Sequence, residues 1–345
     1  MNRVSKTILC VLLLSVSNVQ SQEPAKEQIK EVIILSLPNL NWGLEIDAPG
    51  FAIEKKQVSK NGDKTSFQAN NDAAGLTMSA FLEKAPNTGT SKDCRDYYFS
   101  KLKESPAVES DVKMSEIGEM AIAEYVIKEL KGIKLNQKHL NAYLAKNGYW
   151  IDVHISKADF EPQDQALFDT ILKGIRTDEL CWGEKSKVNY YIPDYGTFAL
   201  IVPTSWQNEI LEREKSNTLA LGFKSYSNNT LEASLSTMPA PNPKSISPAE
   251  MKAFAQEMGA DALGHAIETE LVLKELKGTT STGYYFTLTD KAPKPGEYKY
   301  LTQGCIGIKN RILIFTILTR SKDSTAIKSA IEMISLAECI PETKG

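Results

Sequence analysis

The chain has three histidines, His139, His154 and His265, and one of them sits in the run "WIDVHIS" at residues 150–156. In an extended segment alternate side chains share a face, so Trp150, Asp152, His154 and Ser156 point the same way. A carboxylate two residues from an imidazole on one face is placed to orient or charge-stabilise it, the elementary unit of acid–base chemistry. Glu45 and Asp47 alternate in the same manner within "WGLEIDAPGF" (42–51). If the two strands are neighbours, Glu45, Asp47 and His154 make a candidate metal site, with Tyr143 and Trp150 as pocket walls. The candidate catalytic pair is Asp152 and His154. The plain alternative is a solvent-facing strand surface with packed aromatics. His139, expected at a strand start, and His265, in a polar stretch, are expected to be exposed.

The wider sequence argues against catalysis as the main business of the chain. It holds no HExxH, GxSxG, Walker or GxGxxG pattern, so the common hydrolase, metalloprotease and nucleotide signatures are missing and no cofactor is expected. The opening "MNRVSKTILCVLLLSVSNVQSQ" has Arg3 and Lys6 ahead of an apolar run and small residues before Gln22. That is the form of a secretory signal peptide over 1–21, and the run is too short to anchor in a bilayer. A periplasmic or secreted protein with no transmembrane segment in its mature form is expected. The net charge is −3, and −5 once Arg3 and Lys6 are removed, with both signs mixed throughout. Nucleic acid is therefore a poor partner, since its phosphates select a concentrated basic surface.

The elements that must position these residues come twice. "VIKELKG" (126–132) returns as "VLKELKG" (272–278), and the likeness spreads outward. "WGLEIDAPGF" lies against "GTFALIVPTSW" (196–206), and "LTMSAFLEKAP" (76–86) against "LEASLSTMPAP" (231–241). A helix follows in each half, started by Thr90 and Asp93 in one and by the capping box of Ser247 and Glu250 in the other. The strand "NAYLAKNGYWIDVHIS" (141–156) then aligns with "GCIGIKNRILIFTILT" (304–319) on Lys146-Asn147 and Lys309-Asn310. This sets Leu313, Phe315, Ile317 and Thr319 against Trp150, Asp152, His154 and Ser156. Asn147-Gly148 is a two-residue hairpin signal. Each half closes with an amphipathic helix. The pattern predicts an α+β fold of two tandem similar domains, 30–181 and 195–341, each a mainly antiparallel sheet packed with helices around its own interior. Residues 182–194 read as a linker, in which Trp182 and Tyr191 either pack the domains together or present a binding surface.

The pattern "FALIVPTSW" (198–206), the central helix, the long hairpin and the closing helix resemble the fold shared by the PsbP family of photosystem II extrinsic proteins and DcrB-like periplasmic proteins. The resemblance implies an α/β/α sandwich and a non-enzymatic binding or assembly role, and it brings no catalytic motif. Four cysteines lie beyond the signal segment, Cys94, Cys181, Cys305 and Cys339. In an exported chain they suggest disulfides. The repeat places Cys181 and Cys339 after equivalent helices, which predicts Cys94–Cys181 and Cys305–Cys339. The expected function is a binding or assembly protein whose partner is a protein or another envelope component. The alternatives are a metal-dependent or acid–base enzyme at Asp152 and His154, and a carrier of a small ligand or lipid.

Overall fold

The computed structural model describes residues 29–342 except 39, 103–110, 181–182, 213–216, 227–230, 243–245 and 323–324. The expected signal segment, Cys181 and Trp182 lie outside the described residues. In the first half the strands are β1 (Val32–Leu35), β2 (Trp42–Asp47), β3 (Ala52–Val58), β4 (Lys64–Asn71) and β5 (Leu76–Lys84). Helix α1 (Ser91–Leu102) follows, then β6 (Lys113–Ile117), β7 (Met120–Leu130), β8 (Ile133–Lys146), β9 (Tyr149–Lys157), α2 (Gln165–Lys173) and β10 (Ile175–Glu179). The second half opens with β11 (Lys185–Ile192), β12 (Gly196–Pro203), β13 (Trp206–Glu212), β14 (Leu219–Ser225) and β15 (Leu231–Pro239). It continues with α3 (Pro248–Leu263), β16 (Lys274–Lys277), β17 (Thr282–Thr289), β18 (Tyr300–Ile308), β19 (Arg311–Thr319), α4 (Thr325–Ser335) and β20 (Glu338–Pro341).

Strand order repeats itself. The order β1-β2-β10 recurs as β11-β12-β20, and β3-β4-β5-β9-β8-β7-β6 recurs as β13-β14-β15-β19-β18-β17-β16. Raising each strand number by ten converts one list into the other, and the helices fall at the same places. Both helix starts anticipated from sequence are present. Thr90 Oγ1 accepts from the Asp93 amide at 3.3 Å, and Ser247 with Glu250 forms a complete capping box behind Pro248.

The halves do not keep to themselves. Strand β11 runs parallel to β3, with Tyr190 opposite Ile53, and fuses the small sheet of the second half to the long sheet of the first. Glu31 forms a parallel bridge to Lys187, and β13 packs against β3. The segment expected as a linker is therefore mostly a strand. The expectation of two separate interiors also fails, because one continuous buried cluster contains Ile53 and Leu82 together with Tyr190, Trp206 and Phe315. The contact of Tyr190 with Ile53 covers, at that point, a backbone edge that each half would otherwise present. At this joint Lys56 is buried. Its Nζ donates to Ile34 O at 2.6 Å, and burial holds the amine at about 7.

The inner face of each long sheet is apolar, and β9 and β19 show how. Ile151, Val153 and Ile155 point into the continuous core, and so do Leu313, Phe315 and Ile317. The two hairpins turn at matching places: Lys146 faces Tyr149 across one turn and Ile308 faces Arg311 across the other. Asn147 thus corresponds to Lys309, both at positive φ (52° and 56°). The sequence alignment on Lys146-Asn147 and Lys309-Asn310 is one residue out, and in a strand that error moves every side chain to the opposite face. The true counterparts of Trp150, Asp152, His154 and Ser156 are Ile312, Ile314, Thr316 and Leu318. The contrast between a polar face in one half and an apolar one in the other survives the correction.

The seven-residue echo fares differently. Its first occurrence spans β7 and the Lys131-Gly132 turn, whereas its second contains β16, whose place in the sheet order matches β6. The two stretches are not at equivalent positions.

No disulfide forms among the described residues; Cys94, Cys305 and Cys339 are unpaired and buried. Cys305 lies on the outer face of its sheet beneath α3, with its Sγ 3.3 Å from Met251 O, while Cys339 belongs to the inner core. A sheet separates them, and a disulfide needs its Cα atoms within about 7 Å. Cys94, carried by α1, has its Sγ 3.6 Å from Ile151 O, and the predicted bridge from it to Cys181 falls outside the described residues. Among the described residues no helix is long and apolar enough to cross a membrane.

Candidate functional site

The outer face of β7, β8 and β9 beneath α1 gathers most of the chemistry-bearing residues. The two-residue turn at Asn147-Gly148 fixes the register, so Asn141 stands opposite His154 and Tyr143 opposite Asp152. On the far side of β9, Ser79 faces His154 and Phe81 faces Asp152. Helix α1 lays Cys94, Tyr98 and Phe99 over this floor, making a small second core with Tyr125, Tyr143 and Trp150. Tyr98 stacks on Tyr143 at 6.4 Å, meets Trp150 edge-on at 5.9 Å, and donates its hydroxyl hydrogen bond to Glu83.

Within this aromatic layer lies a polar seam. His139 Nδ1 and His154 Nε2 are 2.9 Å apart, either ring being able to donate according to its tautomer. His139 also stacks on Tyr125 at 4.9 Å and 4°. Asn141 Nδ2 donates to Asp152 Oδ1 at 3.0 Å. Three buried polar atoms here, His139 Nε2, Asn141 Oδ1 and Trp150 Nε1, have no hydrogen-bond partner. Burial pushes the Asp152 carboxyl up to about 7 against the pull of the Asn141 bond. It pushes His139 down to about 4, with His154 adding to the effect, and lowers His154 as well. A protonated carboxyl beside neutral imidazoles is the arrangement a dry site favours.

Several sequence expectations change at this point. Asp152 and His154 do share a face, but Asp152 bonds to Asn141 and His154 to His139, so the carboxylate does not orient the imidazole. His139 is half-buried at the centre of the cluster rather than exposed at a strand start. Trp150 and Tyr143 are 1 % exposed and serve as packing, not as pocket walls. Tyr191 lies half-buried on β11. Glu45 and Asp47 belong to the other sheet and are held by Arg176 of β10, at 2.6 Å and 2.9 Å. They make no site with His154, and no cluster of three or more metal-binding side chains exists among the described residues. His139 and Asn141 were the missed members. Counting outward from the Asn147-Gly148 turn would have paired Asn141 with His154.

Neither Asp152 nor His154 lines any of the five depressions described. The largest of these is a groove of about 970 Å³ where the halves meet, lined by Lys30, Glu31 and Ala52 from one side and Lys187, Asn189 and Thr197 from the other. Glu31 anchors it. Its carboxylate accepts from the Gly50 amide at 2.7 Å, from Lys187 Nζ at 2.9 Å and from Asn189 Nδ2 at 3.2 Å. Burial alone would raise Glu31, and these bonds together hold it below the usual carboxylate range. Asn189 Oδ1, in the same wall, is buried with no partner.

No family model matches the chain, and no curated protein does. Among solved structures it resembles the cyanobacterial PsbP of Synechocystis sp. PCC 6803, at 13% identity and a TM-score of 0.33, over 46% of this chain and 95% of that one. A structure from Bacteroides thetaiotaomicron VPI-5482 aligns at 15% identity and a TM-score of 0.23, over 43% of this chain and 46% of the other. The likeness is weak and at the level of the fold.

Proposed function

We propose that the chain is an exported, non-enzymatic binding or assembly protein of the cell envelope, built as a tandem pair of similar domains, and that its partner seats in the groove between them. What carries the reading is the groove itself: the largest depression described draws its walls from both halves, which are joined there by the bonds that Glu31 accepts from Gly50 and Lys187. A carboxylate engaged by three donors is a poor acid–base catalyst and a good fixed wall. The matching strand orders support duplication, and a duplicated unit places a concave joint at its seam. The acid–base alternative has less behind it, because Asp152 and His154 line none of the depressions described and do not bond to each other. A small-ligand carrier would need an enclosed apolar cavity, whereas this groove is open and mixed in polarity.

The test is recovery of partners from the native envelope by photo-crosslinking from Lys30 and Thr197. Fractionation should find the chain outside the cytoplasm without residues 1–21. Crosslinks to one defined envelope component, abolished by Ala52→Trp, are the expected outcome. Equal crosslinking with Ala52→Trp, or a cytoplasmic chain that keeps its first 21 residues, would overturn the proposal.

A further inference from the structure

Strands β7 and β8 outrun their neighbours. The pairing of β6 with β7 stops at Glu124, and that of β9 with β8 stops at Lys138. Beyond those points the two strands pair only with each other, as far as Leu130 opposite Ile133. Loop residues Asp159 and Phe160 clamp one side of this arm through their amides to Leu135 O and Asn136 O, at 3.1 Å and 2.9 Å. The last seven residues, Lys128 to Lys134, are all exposed and project about 10 Å past the clamp, at about 3.3 Å per residue. Lys131 and Gly132 take positive φ (52° and 82°), which closes a tight two-residue turn.

The tip is unusual for what it exposes. Leu130 and Ile133, directly opposite each other, are 40% and 65% exposed. In the near-identical stretch of the second half, Leu276 holds the place of Leu130 and is 3% exposed. The same local sequence thus buries its leucine in one place and presents it in the other. Around the tip stand Lys128, Lys131 and Lys134, with Glu129 the one acid, on a chain whose net charge is −3. The matching place among the described residues of the second half has no arm: β17 and β18 are joined by residues 290–299, and their pairing ends at Thr289 opposite Tyr300.

From this we infer that the β7–β8 arm is a membrane-contacting finger, whose Leu130 and Ile133 insert between the headgroups of an anionic lipid surface while the lysines meet lipid phosphates. A convex tip of two apolar side chains is far short of the roughly 800 Å² per partner that a stable protein interface needs. A lipid surface has no such threshold, since apolar insertion and electrostatic attraction add together, and lysine stems reach outward along the boundary. The finger stands apart from the groove, and the inference does not depend on what that groove binds.

The measurement is flotation of the exported chain with vesicles of phosphatidylcholine alone, or of equal parts phosphatidylcholine and phosphatidylglycerol. All variants begin at Gln22, so that residues 22–28 contribute equally. Wild type should float with the anionic vesicles at least tenfold better than with the neutral ones, and less so as salt is raised. The pair Leu130→Asp and Ile133→Asp should abolish flotation, and Lys131→Glu with Lys134→Glu should cut it more than tenfold, at about fivefold or more per lysine. Ile267→Asp with Val272→Asp, which changes exposed apolar residues elsewhere, should leave it unaltered. Leu130→Trp should show a blue-shifted emission only with anionic vesicles. The inference is overturned if wild type stays unbound, if the tip variants float like wild type, or if the arm captures a protein without binding lipid. Circular dichroism confirms that each variant is folded.

Discussion

Asp152 keeps its proton well above the ordinary carboxylate range because the aromatic layer under α1 keeps water from it and Asn141 supplies a single bond. In the folded chain it holds that proton up to about pH 7, against an ordinary value of 3.8. The folded state therefore binds more protons than the unfolded one between those limits, and Asp152 makes stability fall as pH rises across that window. His139 acts in the opposite sense. Its folded value of about 4 lies below the ordinary 6.5, so its contribution is lost as pH falls from about 6.5 to 4. Asp152→Asn keeps an acceptor for Asn141 and removes the carboxyl, and should stabilise the chain by about 1–3 kcal/mol above pH 7 with little effect near pH 3. Urea titrations across pH should then expose the rising acid limb set by the histidines. A variant no more stable than wild type at pH 8 would show that water reaches the carboxylate. That Asp152 and His154 share a face was legible from alternation alone. Their real partners, Asn141 and His139, were not picked out, because a side chain's partner depends on hairpin register rather than on the residue's own neighbours.

At the scale of elements, strand order depends on a few close approaches of backbone to backbone. Gly196 opens β12 at φ 130°, and a Cβ there would lie 2.3 Å from Ile340 O on β20. Gly196→Ala should therefore unseat β20 and cost at least about 2 kcal/mol, read as a lower urea midpoint. An unchanged midpoint would mean that β20 contributes nothing to the sheet. Helix starts and hairpin turns were legible because their signals are local: Thr90 with Asp93, Ser247 with Glu250, and Asn147-Gly148 all appear where expected. Pairing between the halves was less secure. Lys-Asn matched Lys-Asn by identity, but the turns align Asn147 with Lys309, and a slip of one residue is invisible to composition while reversing the faces. The "VIKELKG" echo misled for the same reason, since identical letters occupy an arm in one half and an edge strand in the other.

For the whole molecule, the decisive feature is that the core is continuous from Ile33 to Cys339. Two packed domains with separate cores would unfold in two steps, whereas a shared core couples them. Scanning calorimetry should give one transition, and Ile53→Ala, at the β3–β11 pairing, should shift all of it downward. Two resolved transitions, only one of them moved, would show that the halves are independent. This coupling was not legible in the sequence. It rests on a parallel contact of Tyr190 with Ile53 and on the bridge from Glu31 to Lys187, contacts between residues far apart in the chain that no local pattern announces.

Because β11 completes the sheet that β3 begins, a chain delivered from its N-terminus cannot finish its first half until Tyr190 has emerged. Until then the β3 edge is an open template for pairing with a neighbouring nascent chain. A holding chaperone at that stage would shorten the exposure. A stop codon placed between the halves would leave a fragment prone to aggregate, not a smaller working protein.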